Sequence, residues 1–468
     1  MGALSDGYRS FRRREVLKTA AGGSVLASVA ARSATAQQTL AWDTTVYVGS
    51  NDGTLYAVDA ETGKQHWAFT EPRSLVQSSP TVVAGTIYVG CHDNSVYAVD
   101  AATGDQKWEF RDPENVNVSS PTVAYGTVFI GADGGTLYAV DAETGEQRWA
   151  FTEPSDRVRS SPFVADGTVY VGAADETLYA VDAGTGDQAW AFTEPAALIQ
   201  SSPTVVDGTV YVGAKDDTLY AVHADSGEQA WAVTESESGV FSSPTVADGT
   251  VYVGGGGVFA VDAATGEREW TVSRPSAQVL SSPTVAGGSV YVGMFERASV
   301  PATLYAMDAE TGDEEWSITN EATLISSPAV VDGTVYVGWG WKLLAVDAAT
   351  GEQQWAFTEP GNNVHSSPTV VANPAQGSSI DSRVRVGTLG HYSTEQRPAT
   401  PTSTDTDTPV DQATGTETNS TVDPQTEATA TPTETTADGP GFVIGGAVVT
   451  LGTIGQLIRR GSVTNEYK

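Results

Sequence analysis

Residues 91–94 bring together side chains with metal-binding chemistry. Cys91, His92, Asp93 and Asn94 are consecutive, and sulfur, imidazole nitrogen and carboxylate or amide oxygen all serve as metal ligands. One loop supplies too few ligands by itself, so a turn that has diverged by mutation is the alternative interpretation. We therefore assign no metal site, and we treat His92, Asp93 and Asn94 as candidate ligand-binding residues.

Four arginines form a second candidate group in a chain with 24 basic and 58 acidic residues. Arg73, Arg111, Arg157 and Arg159 fall in successive loops between repeated segments. Guanidinium groups bind carboxylates and phosphates through paired hydrogen bonds, so these arginines could clamp an anionic ligand. Pairing with nearby acidic side chains is the alternative.

Two tryptophans and one histidine complete the candidates. Trp339 and Trp341 flank a glycine on one loop, where a sugar or flat ligand could stack; packing inside the fold is the alternative. His365 precedes a short apolar segment. No nucleophile–base signature, phosphate-binding loop or zinc spacing occurs in the chain, so no residue is assigned as catalytic.

These candidates lie on a repeat of about 41 residues. In the unit over residues 201–231, three short apolar strands and a fourth centred on Trp231 are separated by turns such as Asp207-Gly208, a pair suited to hairpins. Four antiparallel strands per repeat predict an all-β, eight-bladed β-propeller. One tryptophan marks each unit: Trp67, Trp108, Trp149, Trp190, Trp231, Trp270, Trp316 and Trp355.

The segments at residues 142–149 and 348–355, Ala-Glu-Thr-Gly-Glu-Gln-Arg-Trp and Ala-Ala-Thr-Gly-Glu-Gln-Gln-Trp, resemble the tryptophan-docking motif of quinoprotein (PQQ-type) propellers. The resemblance covers roughly residues 39–390. It implies that each tryptophan packs between adjacent blades, against the Thr-Gly turn of its neighbour. We expect residues 366–371 to close the ring by joining the first unit, with His365 facing the axis. Residues 40–43 and 383–387 are rival strands for that position.

The resemblance allows two classes of function. Alcohol- or aldose-oxidising members use PQQ with Ca²⁺, which needs carboxylates, an amide, a catalytic aspartate and aromatic stacking. This chain has minimal loops and a single cysteine, Cys91, whereas characterised alcohol-oxidising members carry adjacent cysteines. The bacterial propeller for outer-membrane barrel assembly is also similar, and it holds partner proteins without a cofactor. We therefore favour a non-catalytic scaffold for a protein or glycan partner over a PQQ-dependent dehydrogenase.

Composition narrows the choice of partner. The formal net charge is −34, so the chain offers no basic stripe for nucleic acid. An acidic surface of this kind suits a soluble protein in concentrated salt. We expect the propeller to be a monomer.

Both ends carry targeting signals. Residues 1–36 combine Arg12-Arg13-Arg14 with an apolar stretch and a small-residue cleavage site, which resembles a twin-arginine export signal; an ordinary secretion signal is the alternative. The propeller is predicted over residues 37–392. Residues 393–439 are predicted to form a disordered stalk rich in Thr, Pro and acidic residues.

Residues 440–468 contain Pro440-Gly441-Phe442, an apolar run to Ile458 and two arginines. This end resembles the sorting tail of haloarchaeal surface proteins, which is cut and replaced by a lipid. Because the apolar run reaches the short limit for a membrane span, a retained anchor is the other interpretation. The sequence predicts an exported protein that is anchored at the cell surface and touches the membrane only through this segment.

Overall fold

The computed structural model describes residues 44–111, 119–234, 239–273, 277–296 and 299–372. All of them belong to one compact unit, residues 1–399, and a second unit, residues 400–468, lies wholly outside them. The predicted export signal, stalk and C-terminal anchor also lie outside the described residues. No helix long and apolar enough to cross a membrane occurs in the described ranges.

The described residues form 33 strands and no helix. The strands make up eight antiparallel sheets, so the predicted eight-bladed propeller is confirmed. In chain order they are β1 (Thr44–Gly49), β2 (Leu55–Asp59), β3 (Gln65–Phe69), β4 (Thr81–Val83), β5 (Thr86–Cys91), β6 (Ser95–Asp100), β7 (Gln106–Arg111), β8 (Thr122–Ala124), β9 (Thr127–Gly131), β10 (Leu137–Asp141), β11 (Gln147–Phe151), β12 (Phe163–Ala165), β13 (Thr168–Gly172), β14 (Leu178–Asp182), β15 (Gln188–Phe192), β16 (Thr204–Val206), β17 (Thr209–Gly213), β18 (Thr218–His223), β19 (Gln229–Thr234), β20 (Thr245–Ala247), β21 (Thr250–Gly254), β22 (Gly257–Asp262), β23 (Arg268–Ser273), β24 (Ala277–Gln278), β25 (Thr284–Ala286), β26 (Ser289–Glu296), β27 (Ser299–Asp308), β28 (Glu314–Asn320), β29 (Ala329–Val331), β30 (Thr334–Trp339), β31 (Lys342–Asp347), β32 (Gln353–Phe357) and β33 (Thr369–Ala372).

Each blade follows the same order from the axis outward. Blade 5, for example, is the sheet β16-β17-β18-β19, and consecutive residues of β17 such as Val210, Tyr211 and Val212 are all buried. Both faces of the strand are covered because a blade is packed between two neighbours. The turn from β16 to β17 uses Asp207 and Gly208, which both have positive φ, as the Asp-Gly hairpin prediction requires.

Blade 7 has a longer second hairpin than the other described blades. Here β26 and β27 run on to form a longer hairpin, and β24 pairs with the extension of β26 through Ala277 and Gln278. The added residues therefore lengthen an existing sheet instead of building a separate loop.

The last strand closes the ring, as predicted. β33 pairs with β1, with Thr45 opposite Val371, so blade 1 contains strands from both ends of the described chain. The rival segments at residues 40–43 and 383–387 lie outside the described residues. Trp355 of blade 8 then docks on blade 1, where its indole donates to the Ala60 carbonyl at 3.0 Å.

The same docking contact occurs at all eight blade junctions. Each indole nitrogen donates to an alanine carbonyl of the next blade at 2.9–3.3 Å. The ring lies against the turn glycine beside that alanine; a Cβ on Gly104 would come within 2.8 Å of Trp67. Since Gly104 also has a φ of 78°, glycine satisfies both the backbone conformation and the close approach.

A closed circle of serines surrounds the axis. The backbone amide of each second serine in the Ser-Ser-Pro motif donates to the hydroxyl oxygen of its counterpart in the next blade at 2.9–3.1 Å. We call this set the inner serine ring: Ser79, Ser120, Ser161, Ser202, Ser243, Ser282, Ser327 and Ser367. It ties the innermost strands together without any charged group.

Candidate functional site

Two kinds of loop meet at one face of the ring. The alternating strand directions place the second-to-third-strand turns and the loops between blades at the same end of every sheet. Backbone bonds join the two sets: the His92 amide donates to Leu75 at 3.0 Å, and the Lys215 amide donates to Leu198 at 3.1 Å. We call this end the loop face, and nearly all the candidate residues lie on it.

Repeated aspartates brace the loop face. The carboxylate of Asp93 accepts from the Tyr97 hydroxyl and from the Arg73 amide, both at 2.8 Å. Burial alone would raise the pKa of Asp93, but these bonds and others hold that pKa below its ordinary value. Equivalent pairs of bonds are made by Asp52, Asp175 and Asp216. The predicted candidate Asp93 therefore has a bracing contact that is common to four blades.

The other members of the 91–94 segment do not converge with Asp93 on a metal site. Cys91 is fully buried, its thiol lies 3.5 Å from the Ser74 carbonyl, and burial raises its pKa to about 12. Asn94 has a φ of 71° and completes the turn. Within the described parts of the chain, no group of three or more His, Cys, Asp or Glu side chains could hold a metal ion.

The four candidate arginines do not form a clamp. Arg111 pairs with Glu109 on its own strand, and the side chains of Arg73 and Arg157 are exposed on separate loops. Arg159 makes a two-pronged pair with Asp133 of the preceding blade, with Nε–Oδ1 at 2.8 Å and Nη2–Oδ2 at 2.9 Å. Local acids therefore engage Arg111 and Arg159, the alternative that the sequence left open.

The two loop tryptophans differ in their exposure to solvent. Trp339 is only 1% exposed and donates to the Ala322 carbonyl at 3.0 Å, so it packs inside the fold. Trp341 is 63% exposed. Trp339 therefore follows the packing alternative, and of the two rings only that of Trp341 is available to a ligand.

The residue before each Ser-Ser pair breaks the symmetry of the repeat. These positions lie one residue from the Ser-Ser motifs that line the axis, and we call them the axial row. In the described chain the row consists of Gln77, Arg159, Gln200, Phe241, Leu280, Ile325 and His365. Blades 6, 7 and 8 contribute three apolar members, and blades 1, 2, 4 and 5 contribute polar ones. Blade 3 has Val118 at this position, outside the described residues. Its described members therefore divide into a polar arc and an apolar arc.

His365 lies at the centre of a small polar cluster in that row. Its Nδ1 is 3.3 Å from the Asn51 amide nitrogen and 3.4 Å from the Gln77 amide nitrogen. If both amides donate, Nε2 carries the proton. Burial lowers the pKa of His365. The His365 Nε2 and the Asn51 Oδ1 are both inaccessible to solvent and find no hydrogen-bond partner in the described protein.

His92 lies near the Arg159–Asp133 pair. Burial is the main cause that lowers its pKa; Asp133 acts in the opposite direction and Arg159 in the same one. Its Nε2 is likewise inaccessible and without a hydrogen-bond partner in the described protein. An unpartnered buried polar atom costs on the order of 1–3 kcal/mol, so the fold carries such a cost at both histidines.

The apolar arc begins at Phe241. The Lys215 ammonium lies 5.7 Å from the centroid of this ring, within range of a cation–π contact. Phe241, Leu280 and Ile325 are all half-buried. Because their described counterparts in blades 1, 2, 4 and 5 are polar, folding of a blade does not require an apolar side chain at this position.

Sequence reasoning found His92, Arg159 and His365 but missed their surroundings. The sequence gives no sign by itself that Asn51, Gln77 or the apolar arc belong to a site. Their position in the row becomes visible only when the eight units are aligned. The useful signal was available in the position before Ser-Ser-Pro, where the repeat changes residue type from blade to blade.

The described loop face does not fit a calcium-assisted quinone site. Calcium requires six to eight oxygen ligands, whereas Asp133 is engaged by Arg159 and the Asn51 amide contacts His365. The remaining loop aspartates brace tyrosines and backbone amides. We therefore derive no catalytic step through this cofactor.

Comparisons with known protein families and solved structures agree with the propeller fold. The family profile described as "Outer membrane protein assembly factor BamB" matches residues 13–125, 119–213, 196–294 and 255–389. No curated protein sequence matches the chain.

Three solved structures illustrate the shared fold. BamB from Moraxella catarrhalis is 18% identical, with a TM-score of 0.52 over 62% of this chain and 90% of that chain. The computationally designed Ika8 protein is 18% identical, with a TM-score of 0.54 over 65% and 96%. Quinohemoprotein alcohol dehydrogenase ADHIIG from Pseudomonas putida HK5 is 17% identical, with a TM-score of 0.52 over 70% and 72%. At these identities the likeness establishes the fold alone.

Proposed function

This chain belongs to the outer membrane protein assembly factor BamB family of PQQ-like propellers, and from that premise we propose that it is a non-catalytic binding scaffold. The observation that carries the proposal is the axial row. Among the described residues, its neighbours on both sides follow the repeat, whereas the row itself presents Phe241, Leu280 and Ile325 on one arc and polar residues on the other.

A segment of a partner protein matches this surface. Apolar side chains of the segment would cover the apolar arc and remove it from water, which is favourable at about 25 cal/mol per Å². With a net charge of −34, the scaffold favours a neutral or basic segment over an acidic one.

We further propose that the scaffold acts outside the cell. The export signal would carry it across the membrane, and the Thr- and Pro-rich stalk would hold the ring away from the anchored end. The protein partner, not the membrane, would then contact the loop face.

Site-specific photocrosslinking in the native cell envelope tests this function. A photoreactive amino acid at Phe241 or Ile325 is expected to give one discrete protein adduct. The matched control places the same group at Ala189, an exposed residue on an outermost strand. Equal adducts from all three positions, or none from Phe241 and Ile325, would overturn the proposal.

The dehydrogenase alternative has its own test. The purified full chain is titrated with PQQ and Ca²⁺ in concentrated salt, and dye-linked oxidation of alcohols and aldoses is followed. We expect no saturable change in absorbance and no turnover. Saturable binding with turnover would replace the scaffold proposal with catalysis at the loop face.

A further inference from the structure

A cleft of about 890 Å³ lies on the face opposite the loop face, between blades 2 and 3. It is bounded by the first hairpin turns of both blades, by the β10–β11 turn and by the outermost strands. Its volume falls within the range of small-molecule sites.

The cleft occurs where the repeat loses its usual turn residue. The first residue of this turn is aspartate in four blades: Asp166, Asp207, Asp248 and Asp332. Blade 2 has Ala84 and blade 3 has Tyr125 at this position, and both line the cleft. A small and an aromatic residue therefore border the cleft where other blades have aspartate.

Tyr125 is held in a conformation that bulky residues avoid. Its φ is 51°, in the left-handed region where a bulky side chain is an outlier. Its hydroxyl accepts a hydrogen bond from the Gly167 amide of blade 4 at 3.2 Å, and the residue is nevertheless 39% exposed. The ring is therefore fixed in position with a face available to a ligand.

Two basic side chains lie on the outermost strands that border the cleft. Lys107 and Arg148 stand directly before their docking tryptophans, where blades 4 and 5 have alanine. Lys107 contacts Asp100 and the Thr86 hydroxyl at 3.3 and 2.8 Å. Arg148 donates to Asp141 and to the Thr127 hydroxyl, both at 2.6 Å. Glu143 adds a further acceptor at the rim.

We propose that this cleft binds a neutral saccharide. An anion would meet Asp141 and Glu143 on a strongly acidic protein, and a cation would meet Lys107 and Arg148. A sugar presents apolar C–H faces that stack on an aromatic ring, and its hydroxyls donate and accept at once. The cleft supplies Tyr125 for the first interaction and mixed donors and acceptors for the second.

The test uses the purified full chain on an array of neutral and uronic-acid-containing hexasaccharides, followed by calorimetric titration with the tightest binder. Binding to a neutral hexasaccharide is expected. Tyr125→Asp restores the residue of four other turns, where aspartate has φ of 47–49°, so the fold is kept. This variant is expected to lose about two- to tenfold in affinity, since aromatic stacking contributes roughly 0.5–1.5 kcal/mol.

Two controls make the outcome decisive. Trp341→Ala removes the other exposed aromatic, on the loop face, and is expected to leave saccharide affinity unchanged. Photocrosslinks from Phe241 are expected to be the same with and without the saccharide. Failure of every neutral hexasaccharide to bind, preference for the uronic-acid series, or full affinity in Tyr125→Asp would each overturn the assignment, whatever the crosslinking at the loop face shows.

Discussion

The inner serine ring and the axial row lie only two residues apart in each repeat, yet they behave in opposite ways. The ring has the same side chain and the same bond in all eight blades. The described row contains Gln, Arg, Phe, Leu, Ile and His. Positions that close the propeller cannot vary without breaking a bond, whereas adjacent positions are free to serve a ligand.

The largest expected effect comes from the docking contact of the repeated frame. Trp190→Ala removes a ring packed on Gly227 and the 3.0 Å bond to the Ala224 carbonyl. Truncation of a packed tryptophan costs about 3–5 kcal/mol, so a large fall in the denaturant midpoint is expected. The matched variant Trp341→Ala, at an exposed ring, is expected to change stability by less than about 0.5 kcal/mol. Similar losses in both variants would contradict the structural role of docking.

The docking glycine gives the next largest effect. Gly104→Ala places a Cβ within 2.8 Å of Trp67 at a φ of 78°, whereas Gly208→Ala meets a similar φ with nothing within 4 Å. Left-handed strain of about 1–2 kcal/mol applies to both variants, and only Gly104→Ala adds a clash. Unfolding in denaturant is expected to separate the two by a further 1–3 kcal/mol or so. Equal destabilisation would mean that the tryptophan moves aside freely.

Removal of a loop brace comes third. Asp216→Ala leaves the Tyr220 hydroxyl and the Ala196 amide without their acceptor, at a cost of about 1–3 kcal/mol. The control Asp187→Ala removes an exposed carboxylate on a turn and is expected to have little effect on the melting temperature. A small change in Asp216→Ala would mean that these hydrogen bonds contribute little to the stability of the loop face.

The smallest effect tests the axial row through pH. Burial lowers the pKa of His365 in the folded state, whereas the unfolded chain titrates near 6.5. Above that value neither state takes up a proton, so the full stability is present. Below it only the unfolded state does, and stability falls as the pH drops towards the folded pKa. The melting temperature of the wild type should therefore fall more between pH 7.5 and 5.5 than that of His365→Gln.

An equal fall in the two proteins would remove His365 from the buried polar cluster. Glutamine keeps the ability to bond Asn51 and Gln77, so the comparison isolates the ionisable group. His92 titrates in the same direction in both proteins and cancels.

Most of the propeller fold could be predicted from the sequence, because the same strand and turn signals recur in each unit. The spaced tryptophans, the Asp-Gly turns and the unmatched strand near residue 369 predicted the blade count and the closure. The site was harder to predict. Cys91 and Asp93 are close in sequence but serve different contacts, whereas Asp133 and Arg159 are distant in sequence and form one ion pair across blades.

Trp339 illustrates a second reason why the site was harder to predict than the fold. Two tryptophans separated by one glycine resemble a binding surface, but only packing against Ala322 reveals which of them is buried. Residues that interact across blade junctions are separated by a whole repeat, so their pairing becomes visible only after the ring is closed.

The closing strand also sets the order in which the protein can mature during synthesis. The Gly49 amide bonds to the Ser366 hydroxyl, 317 positions later in the chain. The first three strands of blade 1 leave the ribosome early. The inner edge of β1 stays unpaired until nearly the whole ring has been translated. Contacts this distant in sequence carry a large entropic cost and slow the final step of folding. During synthesis, β1 therefore presents an unpaired strand edge that could pair with another chain. This edge is covered only when β33 has been made and pairs with it.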